Sequence, residues 1–201
     1  MSKVFFDIGA NDGHHSIPWA KQNPEAKVYA FEPNPYFSEI LKKENLPNYF
    51  IFSYAISDFN GRAAFNVCES ADRGCSSLLE LNKEGISERW GGRTDMIPSQ
   101  QIEVNVMRLD TFMTWQGIKE IEFFHCDAQG SDLKVLQGMA EHITKIKQGV
   151  VEAATKIDVL YKGQNTTEET INYLRLHGFD VESTQRNDDQ NNEINIYFKR
   201  L

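Results

Sequence analysis

Short runs of almost wholly apolar residues recur along this chain. Each ends at a glycine, a proline or an acid, and most are followed by a helix-length stretch. The first is Val4-Phe5-Phe6-Asp7-Ile8, stopped by Gly9; the next covers 27–32 and is closed by Pro33; a third covers 49–55. An uninterrupted apolar run of this length is the pattern of a buried strand. Between the runs, 13–22 reads as a helix stopped by Asn23-Pro24, and 35–44 as a helix ended before Pro47. Strands alternating with helices at this pace build βαβ units around a parallel sheet.

The rhythm then changes. Residues 62–67 read as a strand with no helix before it, and 102–106 alternates cleanly, as a half-exposed strand able to pair with 62–67. The stretch 68–99 is glycine-rich and weakly periodic, with a helical piece near 79–90; so long an irregular segment points to a functional lid rather than a linker. The parallel pattern resumes with a strand over 121–126, a helix over 131–139 with Ser131 as N-cap, and a strand over 149–153. Thr166-Thr167-Glu168-Glu169 opens a helix near a capping box, and Gly178 closes it. The last two strands, 179–182 and 193–198, are joined by a loop too short for a helical crossover, so they pair antiparallel. The sum is a doubly wound, mostly parallel α/β sheet ending in an antiparallel hairpin, with a strand-and-loop insertion around 62–106.

A chain of 201 residues with 40% hydrophobic content is long enough for one sizeable core, and a single domain over 1–201 is expected. The formal charge of −8, with basic residues only in ones and twos, argues against nucleic acid as a partner. No apolar run approaches the roughly 20 residues of a membrane span, and Asp7 interrupts any leader-like start. Three cysteines, Cys68, Cys75 and Cys126, point to reduced thiols, so a cytoplasmic protein is expected. Oligomeric state is not readable.

In sheets of this kind ligands bind at the carboxyl ends of the strands. There the chain places Asp7-Ile8-Gly9-Ala10-Asn11-Asp12-Gly13, a glycine turn between strand and helix that can cradle a cofactor, with Asp7 able to accept from a cationic amine. Glu32, followed by Pro33 and roughly 20 residues beyond that turn, stands where α/β folds grip a ribose diol. Ser57-Asp58 ends the third strand, and Asp58 can take an exocyclic amine or simply cap a turn before Gly61. The fourth cluster is His125-Cys126-Asp127-Ala128-Gln129-Gly130-Ser131-Asp132. His125 and Asp127 are the candidate general bases, Glu152 a third, and His14 and His15 lie at the mouth of the turn. Strand alternation sets His125 and Cys126 on opposite faces, and Asp132 reads as complementing a helix dipole.

Taken together these segments resemble the FkbM family of S-adenosylmethionine-dependent methyltransferases, a branch of the class I methyltransferase fold with its seven-stranded Rossmann-like sheet. The family's D-x-G-A-N-x-G turn is matched at 7–13, F-E-P-N-P at 31–35, A-[IL]-S-D-x-x-G at 55–61, L-D-T/D-F at 109–112, and the I-D-[VA]-[EQ]-G block at 126–139. The resemblance implies S-adenosyl-L-methionine as cofactor and O-methylation of a hydroxyl on a sugar or small natural product. It places the methionine moiety on Asp7, Gly9, Ala10, Asn11 and Gly13, the ribose on Glu32 beside Pro33, the adenine edge on Ser57 and Asp58, and Asp127 beside the methyl donor. Cys126 and the His14-His15 pair depart from the pattern, and 68–100 matches it only at Ser-Ser-Leu 76–78. The insertion is expected to shape the acceptor pocket.

No metal is expected, since His125, Asp127 and Asp132 offer too few hard ligands and the cysteines lack C-x-x-C spacing. Two alternatives remain open at this level. A nicotinamide-dependent oxidoreductase would use the same fold, although the middle glycine of G-x-G-x-x-G is missing. A catalytically silent nucleoside-binding domain would bind the cofactor without turnover.

Overall fold

The computed structural model describes residues 2–69, 73–189 and 191–201. It opens with β1 (Val4–Ile8), α1 (Ser16–Gln22), β2 (Lys27–Phe31), α2 (Pro35–Leu41) and β3 (Tyr49–Phe52), then leaves the main sheet for β4 (Ala55–Ile56) and β5 (Gly61–Val67). After α3 (Lys83–Arg89) come β6 (Gln100–Met107), α4 (Leu109–Gln116), β7 (Phe123–Cys126), α5 (Asp132–Gln137), β8 (Gln148–Ala154), α6 (Thr167–Leu176), β9 (Phe179–Arg186) and β10 (Glu193–Arg200). The main sheet has seven strands in the order β3-β2-β1-β7-β8-β10-β9, parallel except for β10, which runs antiparallel to both neighbours.

The parallel strands are buried on both faces, as their apolar runs require. On one face Phe6, Phe31 and Phe124 meet Phe112 of α4, which stands edge-on to Phe31 at 4.8 Å. On the other, Phe5, Val28 and Ala30 are covered by Ile17, Ala20 and Leu41 of α1 and α2. Each fully buried Phe or Leu side chain stabilises by roughly 1.5–3 kcal/mol.

The insertion forms a second sheet, β4-β6-β5, in which β5 and β6 pair antiparallel as their alternation predicts. The expected strand over 49–55 divides between the two sheets. It leaves the main sheet after Phe52, Ser53 exchanges a hydroxyl hydrogen bond with Ser38 at 2.5 Å, and Ala55 and Ile56 pair in parallel with Val106 and Met107. Gly138 seats this second sheet: a Cβ there would stand 2.2 Å from the Ser57 carbonyl. The expected helix over 131–139 stops at Gln137, and a 3-10 turn (Ala140–Lys145) follows. No helix among the described residues is long and apolar enough to cross a membrane.

Candidate cofactor and acceptor site

The turn after β1 is built by backbone bonds that only glycine permits at its start. Gly9 and Ala10 both donate N–H to the Phe31 carbonyl, each at 3.0 Å, tying the turn to the end of β2. Gly9 has φ +76°, and a Cβ on it would lie 1.9 Å from the Asp127 carbonyl, so the ends of β1 and β7 approach where no side chain fits. Asn11, itself left-handed at φ 50°, donates its N–H to Glu32 Oε2 at 2.7 Å. Asn34 donates its N–H to Glu32 Oε1 at 2.7 Å and caps α2 by accepting from the Tyr36 N–H. The Glu-Pro-Asn-Pro sequence thus aims a buried carboxylate and starts a helix in the same four residues. Burial raises the Glu32 carboxyl, the two backbone N–H groups oppose that, and the charges of Asp7 and Asp127 add to it; the result is a pKa of about 7.

Asp7 and His125 are register partners on β1 and β7, with side chains on one face. His125 Nδ1 lies 2.8 Å from Asp7 Oδ1; the second oxygen of Asp7 is buried and finds no partner among the described residues. Burial pulls the His125 pKa down, but the hydrogen bond to Asp7 and the charges of Asp7, Asp127 and Asp132 outweigh it, so the ring titrates above its ordinary value. His15 packs against His125 with the rings tilted by 39° and centroids 4.2 Å apart, and His14 packs against His15 at 3.8 Å, tilted by 45°. His15 moves the other way, lowered by burial and by the charges of His125 and His14. His14 is held by Asp12 Oδ1, which accepts from its N–H at 3.0 Å and meets its ring nitrogen at 2.8 Å.

The loop from β7 to α5 is organised by Asp132. Rather than facing solvent beside a helix end, it is buried and accepts from the N–H groups of Ala128 (2.7 Å) and Gly130 (3.1 Å). The Cys126 thiol, on the face opposite His125, donates to it at 3.4 Å. Burial and the Asp127 charge push the Asp132 carboxyl up to about 7. Gln129 donates to Asp127 Oδ1 at 2.7 Å, and its own Oε1 lies 2.7 Å from the Tyr161 hydroxyl. Glu152 is buried; Asn187 donates to its Oε1, while Oε2 finds no partner among the described residues. Burial, then the neighbouring Asp127, Glu193 and Asp132 charges, push its carboxyl well above the usual carboxylate range.

These groups surround a cavity, open to solvent, at the carboxyl ends of β1, β2 and β7. Of the residues expected from sequence, Gly9, Asn11, Glu32, Pro33, His125 and Asp127 line it. Asp7, Ala10 and Gly13 support it from behind. Ser57 and Asp58 do not line it. The Ser57 N–H donates to the Met107 carbonyl and the Asp58 carbonyl accepts from Arg108, which ties this backbone to the second sheet, while the Ser57 hydroxyl donates to Asp58 Oδ1 at 3.2 Å. The wall here is Tyr54, Ala55 and Ile56, with Phe65 and Leu78 of the insertion. Sequence reasoning missed this apolar wall; the signal available was that Tyr54, Ala55 and Ile56 immediately precede the Ser-Asp pair.

The cavity suits a nucleoside cofactor. Glu32 presents a carboxylate with lone pairs left for a diol, the aliphatic and aromatic wall suits a planar base, and Ser131 Oγ, buried in the lining, finds no partner among the described residues. Among the described residues no three His, Cys, Asp or Glu side chains converge as a metal site.

The Methyltransferase FkbM domain model matches residues 7–181. The chain is 29% identical over 167 residues to the 2-O-methyltransferase NoeI of Sinorhizobium fredii, covering 80% of this chain and 66% of that protein. It therefore spans just under two thirds of NoeI's length. It is 26% identical to the 31-O-demethyl-FK506 methyltransferase FkbM of Streptomyces tacrolimicus, covering 90% of this chain and 74% of that one. Among solved structures it is similar in fold to the precorrin-6y C5,15-methyltransferase of Geobacter metallireducens, with a TM-score of 0.50, 13% identity, and 100% and 80% of the two chains covered.

Proposed function

Because this chain belongs to the FkbM methyltransferase family, whose cofactor is S-adenosylmethionine, we propose that it methylates a hydroxyl of a sugar or small natural product. The observation that carries this reading is the placement of the buried Glu32 carboxylate and the Asp7-held His125 ring in one cavity at the strand ends. Two relatives whose names specify O-methyl transfer support the oxygen acceptor.

S-adenosylmethionine, when bound, supplies a methyl group on a cationic sulfur already activated for in-line displacement. The chain's own residues then bind, align and take a proton. Glu32 would accept from the ribose hydroxyls, the 9–13 turn would hold the methionine moiety, and Tyr54, Ile56 and Phe65 would offer the base an apolar wall. Asp7 fixes the His125 tautomer by accepting from Nδ1–H, which leaves Nε2 to accept the proton of the acceptor hydroxyl. Asp127, its Oδ1 already engaged by Gln129, would favour the positive charge of the cofactor.

The nicotinamide reading loses support at the turn, where the Asp12 carboxylate sits between β1 and α1 and would repel the charge of a pyrophosphate. The test is incubation with S-adenosylmethionine and a panel of sugars and hydroxylated metabolites, reading S-adenosylhomocysteine by mass spectrometry. Acceptor-dependent product is expected; cofactor binding without turnover on any hydroxyl acceptor would identify a silent nucleoside-binding domain instead.

A further inference from the structure

A second cleft, open to solvent, meets the cofactor cavity at His14, His15, His125 and Asp127, which line both. It runs down one face of the main sheet. Register pairing sets Phe5 beside Phe123, His125 beside Val150, Val150 beside Tyr197 and Glu152 beside Asn195, so these side chains share that face. Its far wall is aromatic. Phe5 lies between Trp19 and Phe123, with ring centroids 5.0 and 5.4 Å away and planes within 21° of parallel. Polar groups stand opposite: Asn195 donates to Asn187 Oδ1 at 3.4 Å, and the Tyr197 hydroxyl donates to Gln185 at 3.2 Å. No lysine or arginine lines the cleft among the described residues.

We infer that this cleft, and not the 62–106 insertion, receives the acceptor, and that the acceptor is an uncharged saccharide. The inference rests on the methyltransferase reading above. Three features carry it. The cleft is continuous with the cofactor cavity through the very ring argued to take the proton. The insertion residues Phe65, Arg73, Gly74, Ser76 and Leu78 line the cofactor cavity instead and contribute none of the cleft's lining among the described residues. The chemistry matches a sugar, whose axial C–H face lies against an aromatic ring while its equatorial hydroxyls exchange hydrogen bonds with side-chain amides. A phosphorylated or carboxylated acceptor is best held by lysine or arginine, and neither lines this cleft among the described residues.

The experiment is a 1H-15N NMR titration of the full chain, saturated with S-adenosylhomocysteine, against neutral methyl hexosides and methyl 6-deoxyhexosides, with glucose 6-phosphate and glucuronic acid as anionic probes. The expected result is neutral-probe shifts at the Trp19 indole and the Asn187 and Asn195 amides. Trp19→Ala should weaken the neutral probe about tenfold while S-adenosylhomocysteine affinity stays within twofold. Trp19→Phe, which retains a ring, should recover most of that loss, which separates lost stacking from misfolding. Shifts confined to the insertion, equal binding of the anionic probes, or no shift with any neutral probe would each overturn the proposal while leaving the methyltransferase reading intact. Failure to bind S-adenosylhomocysteine at all would overturn both.

Discussion

Glu32 ties cofactor affinity to pH in a way the structure makes quantitative. Its carboxyl is buried, accepts two backbone N–H groups at 2.7 Å and titrates at about 7 instead of 4.5. The ribose hydroxyls need acceptors, and only the ionised form offers full acceptor capacity with charge. A pKa near 7 leaves about a tenth of the free protein ionised at pH 6 and about nine tenths at pH 8. If the ionised form is the binding-competent one, the apparent dissociation constant falls roughly tenfold across that interval. The sign is fixed by the direction of the shift: raising a carboxyl pKa delays the competent state, so binding strengthens as pH rises. Calorimetric titration with S-adenosylhomocysteine at pH 6, 7 and 8 measures this, and Glu32→Gln isolates it. The Gln variant carries no titrating group at 32, so its affinity should be lower at pH 8 and lose that tenfold slope. A wild-type affinity independent of pH, or an equal slope in the variant, would refute the argument that this carboxylate grips the cofactor.

Gly9→Ala should cost about 3 kcal/mol or more in urea unfolding, because the new Cβ meets the Asp127 carbonyl at 1.9 Å in a left-handed backbone; a loss below about 1 kcal/mol would mean that the β1–β7 approach is looser than described. Asp7→Asn removes the group that holds His125 above its ordinary pKa, so the rising limb of the pH–rate profile should move to lower pH and kcat should fall; an unmoved limb and an unmoved His125 NMR titration would separate the two residues. His125→Ala should lower kcat by about 10²–10⁴ with little change in S-adenosylhomocysteine affinity, and an equal loss in both would make it a binding residue. Thr166→Ala removes the hydroxyl half of a capping box at the start of α6, leaving the backbone N–H of that position on Glu169, and should cost about 1 kcal/mol in chemical denaturation.

Much of this architecture is legible in the residues because its strands are buried on both faces. Val4–Ile8 and Lys27–Phe31 stand out as apolar runs, and the polar loop after Arg186 is too short for anything but a hairpin. Harder to see was the branch at Ser53, where one apolar run serves two sheets. Nothing in its composition marks the change of partner, which depends on β6 arriving some fifty residues later. The helix Leu109–Gln116 carries a signal in Leu109, Phe112 and Met113 at helical spacing before Gly117, but those three positions span little more than one turn of that period. At the site, the glycine turn, Glu32, His125 and Asp127 come together as their positions at strand ends imply. Ser57 and Asp58 follow the residues that make the wall, and a two-residue offset cannot be read from a pattern. The contact of His15 with His125 joins residues 110 apart in sequence, so only the tertiary fold reveals that the pair at the turn mouth belongs to the site.

The central claim is that this cavity holds S-adenosylmethionine. Titrating the purified protein with S-adenosylhomocysteine, with NAD in parallel, tests it most directly. Micromolar binding of the first and none of the second is expected; binding of NAD alone, or of neither, would remove S-adenosylmethionine from this cavity.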